Sequence, residues 1–558
     1  MQRFLFNEIL NKFYPHKKIN FYLLIFSSAI AGLCEMLGLV LIFQFILFLS
    51  NSNAQLLNLP LENNPKTTLL LGLGVISIYV FKNIYMIFYT KLNNNILEDL
   101  ALKMNLKMLN NLLFQDFLTV KQIENKEKTA IFSKINIVVW DYIKKYIDFF
   151  ANLIVAIFLI SFLFVKFTIC ATITSIFVLI LGFIEYKILK KKSDFQNENF
   201  TKTLNKVDFL IYSIVSFAKE IKLNNKENQY LEKINSAFKD FSTLNKEKSF
   251  NSVFHIYFTE IVIMITFGIV LFSLYYSLNF DNKLLLGSLC TICVVILRFA
   301  PTINRIQSSI YLINSNQKTA QELLKFNSKF DENCIFKKTK EKLDFEKSIK
   351  LENVSFSYDD KSNGLKNINL EIKKNEFIAI IGKSGNFKTT LALILTGLIK
   401  VQEGKILIDE KELSGENIQK WQNNVSFLSQ DFVLLEENIK NNKELLKALD
   451  LENEKINALS SGQKQRMALF EILNQNKDIL ILDEITSNQD VITQEKINEL
   501  LKNQKNKTII TITHRLELLK NADKIIFLDN NVFDFDTFEN LKNKHSEFQK
   551  MLDLSNIN

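Results

Sequence analysis

The chain has 558 residues, room for roughly two to four domains, with 48% hydrophobic residues, 49 Phe, 23% charged residues and a formal net charge of +9. So many phenylalanines beside so many charges require apolar and charged segments to be separated along the chain. That excludes a uniform soluble globule and a disordered polymer, and 14 Gly with 4 Pro exclude collagen-like and low-complexity chains. Alone, the positive balance suits nucleic acid, an anionic membrane face or a Lys-rich solvated surface, and with the apolar segments no nucleic-acid partner is expected. Cys34, Cys170, Cys290, Cys293 and Cys334 form no disulfide or metal framework and read as packing residues.

In chain order, residues 1–18 predict an amphipathic helix lying on the cytoplasmic leaflet. Residues 19–325 hold six apolar stretches, near 21–49, 68–90, 135–165, 168–189, 253–279 and 284–314. Each meets the ~20 residues a helix needs to cross ~30 Å of hydrocarbon. The first is too long for a signal peptide and is expected to stay as a membrane helix. Segments 1–20, 91–135 and 190–250 are long or Lys-rich and the intervening ones are short and Lys-poor, which puts the amino terminus and the long loops in the cytoplasm. The long loops carry helical, amphipathic patterns, so the membrane helices are expected to run far beyond the bilayer.

Residues 326–347 are charged and read as a linker. From 348 to 558, the short apolar runs FIAII, KILID, VSFLS, DILILDE, KTIITIT and KIIFLD alternate with helical patterns. That alternation predicts an α/β domain with a mostly parallel sheet.

The run FIAII leads into GKSGNFKTT and then a helical pattern, the context of a phosphate-binding loop. Backbone and side chains of Gly382, Ser384, Gly385, Asn386 and Thr390 would line the cradle, Lys388 would reach the β- and γ-phosphates, and Thr389 would hold Mg²⁺. Phe387 stands where the pattern wants glycine. DILILDE ends in Asp483, suited to Mg²⁺, and Glu484, suited to activating water. In LSSGQKQRMALFEIL, Ser460, Ser461, Gly462 and Gln463 open a helix, either as donors to a γ-phosphate or as a plain helix cap.

In this order the motifs resemble the nucleotide-binding domain of the ABC transporter superfamily, over roughly residues 349–530. The resemblance implies ATP and Mg²⁺ as cofactors. It makes Tyr358 the adenine-stacking aromatic, Gln430 the residue linking Mg²⁺ to the membrane domain, and Ser460 to Gln463 the signature loop. Ser487 to Asp490 would form the loop between the two halves, and His514 would be the switch histidine. The short spacing between Gln430 and the signature implies a reduced helical subdomain, and KIIFLDNNVFDFD lacks the family's usual Gly turn. A membrane domain followed by one ATPase domain resembles an exporter-type half-transporter in the inner membrane. Its partner is a second half-transporter, identical or paralogous, and ATP is sandwiched between the two.

Charged residues within the spans are Glu35, Lys82, Glu260, Arg298 and Arg305. Lys82, Arg298 and Arg305 would either line a cationic cavity suited to diphosphate, pair with Glu35 or Glu260, or snorkel to the cytoplasmic interface. The stretches RFAPTINRIQSSIYLINS and AKEIKLNNKENQYLEKI resemble bacterial flippases of polyprenyl-diphosphate-linked oligosaccharides, which implies such a lipid-linked glycan as substrate for these three residues. Two other functions stay open: a peptide or drug exporter, and a non-transporting subunit with a degenerate ATP site. A peptide-processing exporter often has an amino-terminal cysteine protease domain, which is not expected here because the first span begins near residue 21.

Overall fold

The computed structural model describes residues 2–49, 64–166, 172, 199, 202–203, 206–277, 282–330, 339–358, 364–415, 417–430, 432, 443–451, 459–485, 489–529 and 532–555. The expected fourth span, most of segment 50–66, much of the stretch between Gln430 and the signature, and Ser487 with Asn488 lie outside these residues. Two compact units are present: Met1–Asn111 with Ile123–Phe330, and Leu112–Gln122 with Asp331–Asn558.

The first unit is helical. Among the described residues, three helical stretches are long and apolar enough to cross a membrane, Pro15–Leu49, Pro65–Phe114 and Ala130–Phe164. The expected fifth and sixth spans fall on the long helices Glu227–Ser277 and Asn282–Asn327. Helix Ile19–Leu49 packs against Lys144–Lys166, which packs against Asn282–Asn327. Leu39, Phe43, Leu159, Phe162 and Val295 are buried where these three meet. The opposite condition holds on Pro65–Phe114, where Leu70, Ile76, Phe81 and Ile87 are exposed. Side chains of that kind suit lipid rather than water. Pro301 lies inside Asn282–Asn327 and cannot donate a backbone hydrogen bond to the preceding turn. Beside it the Thr302 hydroxyl donates to the carbonyl of Arg298 at 2.9 Å.

The second unit holds two sheets. Strands β1 (Ser348–Phe356), β2 (Leu365–Lys373), β4 (Glu403–Ile408) and β5 (Lys411–Glu412) form an antiparallel sheet in the order β2-β1-β4-β5. Strands β3 (Phe377–Gly382), β6 (Val425–Leu428), β7 (Ile479–Asp483), β8 (Thr508–Ile512), β9 (Lys524–Asp529) and β10 (Val532–Asp536) form the other, ordered β10-β9-β3-β8-β7-β6. Its first strand is antiparallel to β9 and the remaining pairs are parallel. Every residue of β7 and β8 is buried, as expected for parallel strands covered on both faces. The run KILID becomes β4 and joins the antiparallel sheet, and its exposed first three residues are the sign of a strand with a wet face. Between the sheets lies a core containing Ile378, Ile380, Leu391, Ile394, Trp421 and Ile510.

Parallel register fixes where the loops emerge. Ile380 of β3 sits opposite Ile512 of β8, and Ile512 opposite Asp483 of β7. The segments after Gly382, Asp483 and Ile512 therefore leave adjacent strands at one edge, the carboxyl edge where α/β sheets bind ligands.

Trp421 is fully buried, and its Nε1 donates to the carbonyl of Leu395 at 2.8 Å. Trp421→Ala is expected to destabilise the second unit by about 3–5 kcal/mol through cavity formation, and also to strand that carbonyl. Calorimetric unfolding of the full chain checks this.

Candidate functional site

The loop after β3 is shaped by three backbone requirements. Gly385 has φ +87°, and a Cβ there would meet nothing within 4 Å, so glycine serves conformation rather than space. Gly382 is limited by space, since a Cβ would stand 2.0 Å from the carbonyl oxygen of Leu528. Phe387 adopts φ 59°, ψ 19°, the left-handed turn that a glycine would enter without strain. For an L side chain that conformation costs about 1–2 kcal/mol. Its half-buried ring packs against the core between the two sheets, so the loop keeps its turn and the ring has a place of its own.

Lys388, at the start of helix Lys388–Leu395, is 8% exposed and donates to the carbonyls of Gly382 at 2.6 Å and Lys383 at 3.0 Å. Burial lowers its pKa, and Glu484 and Asp483 act in the opposite sense. Thr389 donates from Oγ1 to Asp483 Oδ2 at 2.8 Å. Thr390 is buried, with Oγ1 3.2 Å from the hydroxyl of Tyr358. Ser384 is exposed. The Asn386 side chain is turned towards β9 and donates to Leu528 O at 3.3 Å and Asp529 Oδ1 at 3.1 Å. Its backbone N–H donates to the carbonyl of Lys383 at 3.3 Å. Lys383, which the motif leaves unspecified, holds the same Asp529 and Glu547, each at 3.1 Å.

Glu484 follows β7 with φ 51° and lies 3.6 Å from His514, Oε1 to Nε2. Burial lowers the pKa of His514; Lys388 lowers it further and Glu484 opposes. The imidazole is therefore neutral at pH 7. Asp483 is 7% exposed, and burial raises its carboxyl pKa against the pull of the Thr389 bond. Gln430 is exposed two residues past β6, the neighbour of β7. Thr389, Asp483 and Gln430 offer oxygen donors at one sheet edge, a set suited to Mg²⁺.

Ser460 caps helix Ser461–Leu473 in a capping box. The Gln463 amide donates to Ser460 Oγ at 3.3 Å, and the Ser460 amide donates to Gln463 Oε1 at 2.8 Å. The helix-cap reading is thus realised, and it leaves Ser461 exposed and Gly462 half-buried at the helix N-terminus. A network that sequence reading missed ties this helix to the segment after β7. Gln489, 8% exposed, donates to Gly462 O at 2.9 Å and Gln465 Oε1 at 3.1 Å and accepts from Arg466 at 3.0 Å. Gln494 donates to the carbonyl of Gln489 and accepts from Arg515, the neighbour of His514. A string of glutamines carries no periodic or motif signal, and only the fold brings them together.

In the first unit, Lys82 forms an ion pair with buried Glu35, and Arg298 Nε lies 3.9 Å from the other carboxylate oxygen. The guanidinium also stands 4.7 Å from the ring centre of Tyr79. The structure brings Lys82 and Arg298 together through Glu35, the pairing held as the alternative to a free cationic cavity. Arg305 is exposed about two turns further along the same helix, and Glu260 is exposed on another helix.

Because burial raises the Asp483 pKa, this group favours folding below its ordinary value of 3.8, and that contribution is lost as pH rises through the raised native value. Asp483→Asn keeps an acceptor for Thr389 and removes the charge. It is expected to raise the unfolding temperature of the nucleotide-free protein at pH 7, with the gain shrinking towards pH 4, in thermal scans across that range.

The model of the ABC transporter family matches residues 365–487. The energy-coupling factor transporter ATP-binding protein EcfA of Malacoplasma penetrans is 32% identical over 208 residues, 32% of this chain and 72% of that one. The putative multidrug export ATP-binding/permease protein YgaD of Bacillus subtilis is 29% identical over 240 residues, 38% of this chain and 41% of that one. The lactococcin-G-processing and transport protein LagD of Lactococcus lactis is 28% identical over 419 residues, 68% of this chain and 59% of that one. The chain thus spans about two fifths of YgaD and three fifths of LagD. A bacterial Atm1-family ABC exporter solved with ATP bound superposes with a TM-score of 0.76 at 15% identity, covering 97% of this chain and 98% of that one, which shows a shared fold. The chain belongs to the ABC transporter family, and its fold is a helical membrane domain joined to an α/β ABC ATPase domain.

Proposed function

We propose that two such chains form an exporter in the inner membrane that hydrolyses ATP on their cytoplasmic domains to flip an amphipathic substrate, a polyprenyl-diphosphate-linked oligosaccharide. The observation that carries the ATPase half is the convergence of Lys388, Thr389, Asp483, Glu484 and His514 on one sheet edge. Lys388 rests on two carbonyls of its own loop. A triphosphate offers the buried ammonium charged acceptors in their place, which are the stronger partners. Thr389 and Asp483 would hold Mg²⁺, with Gln430 beside them; the ion supplies charge neutralisation at the phosphates. Glu484 accepts a proton from, or orients, the attacking water. Neutral His514 keeps Glu484 in place and can present an N–H to the γ-phosphate. The amino end of helix Ser461–Leu473, with the Ser461 hydroxyl, suits the γ-phosphate of a nucleotide held by the second chain.

The substrate reading rests on Lys82 and Arg298, two cations gathered around one carboxylate, with Arg305 two turns along the same helix. A diphosphate suits a guanidinium bidentately. A second reading, peptide export, is favoured by the match to LagD over 68% of the chain.

Glu484→Gln is expected to slow hydrolysis by the full chain in lipid vesicles about 100-fold or more, while ATP still binds. Retained turnover would overturn the assignment of Glu484.

Arg298→Ala with Arg305→Ala is expected to remove flipping of a fluorescent polyprenyl-diphosphate-linked sugar in proteoliposomes while basal ATPase activity persists. Stimulation of ATPase activity by peptide and not by glycolipid would favour the second reading.

A further inference from the structure

Tyr358 is half-exposed at 41% and held from several sides. Its hydroxyl lies 3.2 Å from Thr390 Oγ1, and Phe356 meets it at right angles with ring centres 5.1 Å apart. The ammonium of Lys121 stands over its ring, 5.1 Å from the centroid. Lys121 belongs to the short helix Phe117–Gln122, part of the segment Leu112–Gln122 that folds with the ATPase domain although it follows the membrane-type helix Pro65–Phe114 in sequence. Phe117 and Leu118 of this helix pack on the core between the two sheets. Lys121 is thereby fixed near both aromatic rings, 5.9 Å from that of Phe117. The helix is tied to the nucleotide loop through one chain of contacts: Lys121 on Tyr358, Tyr358 on Thr390, and Thr390 next to Thr389, which bonds Asp483.

A cation and a base on the same face of a ring exclude each other. We propose that Lys121 covers the face of Tyr358 on which the adenine of ATP would stack, so that nucleotide binding displaces the ammonium from the ring and loss of nucleotide restores the contact, while Phe117 and Leu118 keep the helix Phe117–Gln122 on its core. The inference rests on the reading of Tyr358 as the adenine-stacking residue. It assigns Lys121 a positioning role: it lowers affinity for the base and reports occupancy to the segment that continues into a membrane helix. The reciprocity of linked equilibria requires that whatever draws Lys121 off the ring also favours ATP.

The test is calorimetric binding of ATP and of tripolyphosphate, in Mg²⁺-free buffer, to the full chain in lipid nanodiscs. Five proteins are compared: the unaltered chain, Lys121→Met, Lys121→Arg, Tyr358→Leu, and the double variant Lys121→Met with Tyr358→Leu. Lys121→Met is expected to tighten ATP about two- to five-fold, the worth of an exposed cation–π contact, and to leave tripolyphosphate unchanged. Lys121→Arg should bind like the unaltered chain, and Lys121→Met should gain nothing in the Tyr358→Leu background. Weaker or unchanged ATP binding by Lys121→Met overturns the proposal, as does an equal shift for both ligands or the same gain without Tyr358. Equal ATP affinity in Lys121→Met and in the double variant overturns the adenine-stacking reading and the proposal built on it. Intact stacking with no effect of Lys121 overturns the proposal alone.

Discussion

The parallel alignment of β3, β8 and β7 is the constraint on which the ATPase half depends. Ile380, Ile512 and Asp483 stand in one row across three neighbouring strands, so residues more than a hundred positions apart in sequence leave the sheet together. Hydrogen bonds reinforce the row at its end: Thr513 donates to Ile380 O and Glu484 to Ile512 O, both at 3.1 Å. A slip of one residue would turn β7 over and aim Asp483 away from Thr389. Burial alone does not fix this register, because every residue of β7 and β8 is enclosed on both faces; the hydrogen bonds at the end of the row and the close packing of the strands hold it.

Phe387 illustrates how a site tolerates a residue that its backbone disfavours. The left-handed turn costs about 1–2 kcal/mol for a residue with a side chain. A half-buried aromatic ring offsets part of that cost by leaving water, at ~25 cal/mol per Å² of apolar surface. The loop retains the conformation that directs Lys388 onto its own carbonyls, and strain remains local to one residue. Glu484, also at positive φ, shows a second such point at the same sheet edge.

Much of this was legible in the sequence, for physical reasons that differ from one element to the next. The buried parallel strands announce themselves as unbroken apolar runs, since neither face meets water. FIAII, DILILDE, KTIITIT and KIIFLD all become strands of one sheet. The antiparallel strands β1 and β2 were missed because alternate residues are wet and their runs look like polar loop. The phosphate loop and the acids after β7 were legible because their spacing is set by local backbone geometry. The Gln489–Gln494–Arg515 network was not, because its members meet only through tertiary packing. Nor does anything near Leu112–Gln122 reveal that this segment folds with the ATPase domain. Its amphipathic helical pattern is equally good for packing on any partner.

The charged cluster of the membrane unit shows the limit of counting cations. Lys82, Arg298 and Arg305 suggest three positive charges for an anionic ligand, yet Glu35, 6% exposed, takes up one of them. An ammonium facing hydrocarbon with no counter-ion is costly, and the nearest carboxylate removes much of that cost. Arg298 differs, since its side chain is 44% exposed while its guanidinium touches both Glu35 and the Tyr79 ring. Of the two cations Arg298 is the more open, and an anion reaching Lys82 would compete with Glu35. The affinity of such a site for an anion is set by the difference between two pairings rather than by the sum of its positive charges.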